Sequence, residues 1–184
     1  MRFGENRVIA WCVLAACVFA SIFGLGGFGL MRERSQAVRL FNDGSDTTLS
    51  MRHSMDAYLD LSADSAAIMA SEAEMLGVNT ALTGEIAELS QIIGEGNDLD
   101  ARYLAYQDIK TKADQLYNAV YSAADKEKAV QFKIAYDDFW GYEDMIIRDD
   151  YHKAARDFNR IADAFPGKIV AYLYGIEPLS TFGG

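Results

Sequence analysis

Cysteine is almost missing from this sequence: only Cys12 and Cys17 occur among 184 residues, both inside one apolar run near the N-terminus. The rest of the chain therefore forms no disulfide and offers no thiolate to a metal. Histidine is as scarce, with His53 and His152 alone. Proline occurs at 166 and 178 only, so nothing breaks a long helix before residue 166. Alternating β-branched runs are absent, which excludes a sheet of useful size. Basic residues are outnumbered by acidic ones, 17 to 27. That balance argues against nucleic acid as a partner and against adsorption to an anionic surface, both of which call for basic patches.

Residues 8–31 are 24 positions without an acidic, basic or amide side chain. At about 1.5 Å per residue they form a helix of roughly 36 Å, against a hydrocarbon core of about 30 Å. Arg2 and Arg7 precede the run; Arg32, Arg34 and Arg39 follow it. A secretory signal has an apolar core of about 7–15 residues and a small-residue cleavage site. This longer run stops on arginines and reads as an uncleaved signal-anchor. Leu14-Ala15-Ala16-Cys17 fits the lipobox of lipoproteins, but residues 18–31 stay apolar where a lipoprotein continues into a polar tether. Basic residues nearly balance across the span, so the positive-inside rule gives no orientation. A long domain behind an N-terminal anchor is commonly exported, which places this one outside the cytoplasm. Ala16, Ala20 and Gly24 stand four apart, a small-residue face suited to homo-oligomer contact between anchors.

From Ser35 on, 25 acidic residues face 13 basic ones, a charge of −12. The spacing there is helical. Asn42 to Thr48 reads as a turn and N-cap cluster. A helix over 49–76 carries Met51, Met55, Tyr58, Ser62, Ala66, Met69, Ala73 and Leu76 at steps of three and four, and Gly77 stops it. A shorter helix covers 83–93. The next starts near Asp98 and runs through about Ala124, with Leu99, Tyr103, Tyr106, Ala113, Leu116, Val120 and Ala124 as its stripe. After a polar break at 125–128, a last long helix runs to Phe165, where Pro166-Gly167 ends it. The expected organisation is a tail (1–7), a signal-anchor (8–31), a juxtamembrane helix and turn (32–48) and an acidic helical domain (49–184). The fold class is all-α: a single N-terminal transmembrane helix followed by an antiparallel long-helix bundle.

Motifs for chemistry are thin. Gly24-Leu25-Gly26-Gly27-Phe28-Gly29 matches G-x-G-x-x-G, but a dinucleotide turn needs a preceding strand and a βαβ unit, and this one lies inside the span. His53-x-x-Asp56 and Asp149-x-x-His152 pair an acid with a histidine on one helix face. Neither has the Glu-x-x-His form of carboxylate-bridged metal bundles. Asp137-Asp138 and Asp149-Asp150 read as solvated faces. Phe132, Tyr136, Phe139, Trp140 and Tyr142, at helical spacing, read as core rather than a ligand box. No Ser sits in a Gly-x-Ser-x-Gly elbow. No catalytic, cofactor-binding or metal residue is assigned, and no cofactor is expected.

Near the C-terminus stand Tyr151-His152-Lys153-Ala154-Ala155-Arg156-Asp157-Phe158-Asn159, then Phe165-Pro166, Ile169-Val170-Ala171, Tyr174-Gly175-Ile176, Pro178 and Phe182. This stretch resembles the end of LemA family proteins. The family's Tyr-Asn pair and hydrophobic-Arg-x-Tyr-Asn segment align with Tyr151, with His152 in place of Asn, and with Arg156 through Asn159, Phe158 replacing Tyr. The family's Tyr-Asn-x-Leu-Val stretch and its Arg-Arg-x-Asp-Leu-Ile-Pro-Asn-Leu-Val segment have no counterpart in residues 51–69. The resemblance implies a bacterial membrane protein with one anchor, a long-helix bundle and no established catalysis. Physically the motif reads as packing: Tyr151, Phe158 and Phe165 lie seven apart, and Arg156 and Asn159 are placed to bond backbone or a carboxylate. The expected function is that of a non-enzymatic interaction or scaffold module with an unidentified protein partner, single-pass in the cell membrane. The alternatives are a ligand-sensing extracytoplasmic bundle and a carboxylate/His metal-dependent enzyme.

Overall fold

The computed structural model describes residues 3–44, 54–78, 80–96, 98–123 and 127–182. His53, Met51 and Ala124 lie outside the described residues. Among those described there is helix and no strand: α1 (Phe3–Ala20), a π-helical turn (Ser21–Leu25), α2 (Gly26–Asp43), α3 (Met55–Met75), α4 (Thr80–Glu95), α5 (Leu99–Ala123), α6 (Val130–Ile147), α7 (Tyr151–Asp163) and α8 (Gly167–Tyr174). Residues 7–43 form a helix long and apolar enough, by length and composition, to cross a membrane.

The chain divides into two compact units. One holds residues 39–153 and 180–184. Its helices start and stop where local chemistry dictates. The Ser54 side chain caps α3 by accepting the N–H of Ala57 at 3.1 Å. Gly77, at φ +72°, ends it in the left-handed conformation that a side chain disfavours. The N–H of Val78 then reaches the Ala73 carbonyl at 3.0 Å and that of Gly77 the Glu74 carbonyl at 2.9 Å, the paired bonds of a Schellman turn. Of the expected α3 stripe, Met55, Tyr58, Ser62, Ala66, Met69 and Ala73 are buried, while Leu76, its C-cap, is half-buried. Ile86 and Ile93 of α4, Ile109, Leu116 and Val120 of α5, and Phe132, Phe139 and Ile146 of α6 are fully enclosed core residues. Along α5 and α6 the contacts step in opposite senses: Lys110 to Glu143 (3.4 Å), Asp114 to Tyr136 (2.8 Å), Tyr117 to Phe132 (ring centroids 6.3 Å).

Several expectations are corrected. The helix over 49–76 is described from Met55, with the extended Ser54 as its cap. Of the turn and cap cluster Asn42 to Thr48, Asn42 and Asp43 belong to α2, and residues 45–48 lie outside the described residues. The helix over 83–93 extends over Thr80–Glu95. The last long helix is two helices, broken at residues 148–150. The N–H of Asp149 turns back to the Ile146 carbonyl, and the Asp149 side chain caps the next helix, so the apolar spacing continues through a turn that periodicity alone does not show.

The other unit holds residues 1–38 and 154–179. Its α8 lies against the N-terminal helix where that helix is apolar. Val170 is within reach of Gly26, the Tyr174 ring covers Gly27, and the Tyr174 hydroxyl donates to the Phe23 carbonyl at 3.2 Å. That carbonyl belongs to the π-helical turn, where the backbone ladder is wider and a side chain can supply a partner. A methyl group at Gly27 would meet the Tyr174 ring at 2.7 Å, so a larger residue there would push the ring off the helix.

Candidate functional site

The most site-like pair in the sequence, Asp149 and His152, builds a turn. Asp149 Oδ1 accepts the N–H of Tyr151 at 2.8 Å. His152 is buried, and its Nε2 lies 2.7 Å from the Ile146 carbonyl. A carbonyl only accepts, so Nε2 carries the proton and has no lone pair for a metal in this arrangement. Asp149 is therefore a helix cap and not a solvated face; Asp150, Asp137 and Asp138 are exposed. Among the described residues no three His, Cys, Asp or Glu side chains gather where an ion could be held.

The residues of the C-terminal motif bond to the chain's own tail. In the first unit, the Tyr151 hydroxyl donates to the Ser180 carbonyl at 2.7 Å. In the second, the Asn159 amide donates to the Leu179 carbonyl and accepts the Leu179 N–H, each at 2.8 Å. Both ends of one amide are thus matched to one residue's backbone. Tyr151 and Phe158 are buried, but Phe165 is 83% exposed, because α7 stops at Asp163 and the heptad spacing no longer fixes its direction. Arg156 is exposed. Phe182 is fully buried among Phe41, Tyr103 and Tyr106, with ring centroids 5.9, 5.5 and 6.1 Å away. Its role as a plug had no local signal in the sequence.

Arg102 was missed too. Its guanidinium is nearly enclosed and bridges Asp56 (2.5 Å) and Asp60 (3.2 Å), 5.7 Å from the centre of the Phe41 ring. The signal available was a basic residue one helical turn from Leu99 and Tyr106 on the apolar stripe. Burial, with the neighbouring Asp56 and Asp64, pushes the Asp60 carboxyl up against the opposing pull of Arg102. The arginine's two terminal nitrogens are occupied by this pair, so the cluster is an internal ion pair and not an open anion site.

On α5 and α6 the expected aromatic core is half right. Phe132 and Phe139 are buried, while Tyr136, Trp140 and Tyr142 are partly exposed. Tyr117 lies 4.3 Å from Tyr136 and 4.5 Å from Tyr121, ring centre to ring centre. Burial and its bond to Asp114 push the Tyr136 phenol up to about 12, and burial with Glu143 pushes Tyr106 up as well. These are phenols held neutral rather than poised bases. The Ala16, Ala20 and Gly24 face is exposed, with open space beside Gly24. The N-terminal unit also holds a cavity of about 540 Å³ lined by Ile22, Leu30, Ile161, Phe165, Val170 and Arg160 among others.

No protein-family model, curated protein or solved structure matches this chain.

Proposed function

We propose that this is a membrane-anchored, non-enzymatic helical protein of LemA type. Residues 8–31 form its single span in a bacterial cell membrane. Residues 49–184 form an acidic antiparallel bundle on the extracytoplasmic side, which acts by contact with a protein partner. The observation that carries the reading is how the motif spends its polar atoms. Tyr151, His152 and Asn159 each bond to a backbone group of the same chain, so the motif builds the fold rather than presenting groups to a substrate. The opposed stepping of contacts along α5 and α6 supports the bundle. A charge of −12 behind the anchor favours a basic partner with salt-sensitive affinity, because exposed charges are screened beyond about 8 Å at physiological ionic strength.

Photo-crosslinking in native membranes tests this. A protein partner should be captured at low salt, less so at high salt, and less again when the exposed Asp138 and Asp150 are both replaced by Lys. Stoichiometric metal in the purified full-length protein would overturn the reading, if accompanied by a turnover that disappears in a folded His152→Gln variant.

A further inference from the structure

The geometry points to a second membrane-contacting element: α8, with Phe165 just before it, lies in the interface of the bilayer that the N-terminal helix crosses. The inference rests on the reading of residues 8–31 as a spanning helix. Twenty residues of helix already cover about 30 Å of hydrocarbon, so residues 8–27 suffice and 28–31 enter the headgroup region with the arginines. The contacts of α8 fall on Phe23, Gly26 and Gly27. These occupy the last ~6 Å of the hydrocarbon, the depth at which interfacial helices bury an apolar face, about 5–10 Å.

The side chains that α8 turns away from the protein suit that depth. Tyr172 is 86% exposed and Leu173 61%, and Ile169 is also open, a density of large apolar groups that water does not favour. Tyrosines belong at the headgroup level, with an apolar ring and a polar tip. Lys168, the only charged residue within α8, is exposed and long enough to reach the phosphates. The cavity beside Ile22, Gly26 and Val170 begins at that depth and runs outward past Leu30 to Glu33 and Arg160. It is apolar at its inner end and charged at its outer end, so a lipid with its acyl chain inward and its headgroup outward suits it.

The experiment uses the full chain with Cys12→Ser and Cys17→Ser, reconstituted in phosphatidylcholine–phosphatidylglycerol vesicles. An environment-sensitive fluorophore is attached in turn at Tyr172→Cys, at Val18→Cys in the span, and at Leu104→Cys, an exposed position on α5. The Tyr172 probe should emit to the blue of the Leu104 probe and lose intensity when the acyl chains carry bromine. If it behaves like the Leu104 probe while the Val18 probe is still quenched, α8 is in water and the proposal is overturned with the span intact. If the Val18 probe also reports water, the spanning helix itself falls, and this inference falls with it.

Discussion

The two units of this chain treat apolar side chains in opposite ways. Between residues 55 and 147 one face of each helix converges on an interior, where Leu59, Met69, Ile86, Phe132 and Phe139 leave no surface, while Met75 and Leu104 stay outside it. In the N-terminal helix, Trp11, Leu25 and Phe28 are each at least 70% exposed. Both regions are helical, and both contain apolar spacing. What differs is the solvent each composition requires. A helix apolar on every side cannot hide its surface against one neighbour, whereas a striped helix can. Stripes build a core in water; an unbroken apolar run calls for an apolar medium around it.

The largest effect on this contrast should come from charging the span. Leu14→Arg with Val18→Arg, at about 3 kcal/mol per arginine near a bilayer centre, should abolish resistance to carbonate extraction, while circular dichroism of the acidic unit stays helical. If the wild-type chain is already released by high salt, the contrast fails at its root.

Next is the core. Phe139→Ala should cost about 3–5 kcal/mol in denaturant unfolding. Ile134→Ala, on the same helix but half exposed, should cost about 1 kcal/mol or less. Equal losses would mean that the interior described for α6 is wrong.

Arg102→Met keeps the apolar stem but strands two carboxylates beside a buried surface. A fully buried pair broken this way loses about 3–5 kcal/mol, and since Asp56 and Asp60 are partly open to water about 2 kcal/mol is expected. Adding Asp56→Asn and Asp60→Asn should recover part of the loss in the same thermal melt. Asn159→Ala should cost about 1–3 kcal/mol by leaving the Leu179 backbone groups without their partner.

The smallest effect concerns Asp60 alone. Its carboxyl titrates above the usual 3.8, so the fold favours the protonated acid. The stability this provides is present below pH 3.8 and lost as pH rises through the higher, folded value. Asp60→Asn should flatten that part of the pH–stability profile. With the side chain half exposed, the gain at neutral pH should stay within about 1 kcal/mol. A variant steeper than wild type over that window would reverse the sign argued here.

Much of this was legible locally. Three/four spacing located α5 closely and Gly77 marked the end of α3, but the start of α3 was placed at 49 and lies at Met55, where the extended Ser54 caps it. The break at 148–150 was not, because the residues on either side keep a helical spacing and nothing in that spacing shows the turn made by the Asp149 cap and the bonds of Asp149 and His152 to the Ile146 carbonyl. Phe165 shows the reverse error: its spacing from Phe158 is right for a shared face, yet the helix has ended before it.

What the sequence determined by itself is therefore the set of choices made within a few residues of chain. Helix rather than strand, an apolar run of spanning length, an acidic remainder and the stop at Gly77 all follow from side-chain spacing and backbone preference. Only the tertiary structure decided the pairings between distant residues. Arg102 lies 46 residues from Asp56 and Gln107 lies 75 from Phe182, and no periodicity relates them. The placement of α8 belongs with these. Nothing within its eight residues points to Gly27, where the Tyr174 ring comes to rest and sets α8 beside the N-terminal helix.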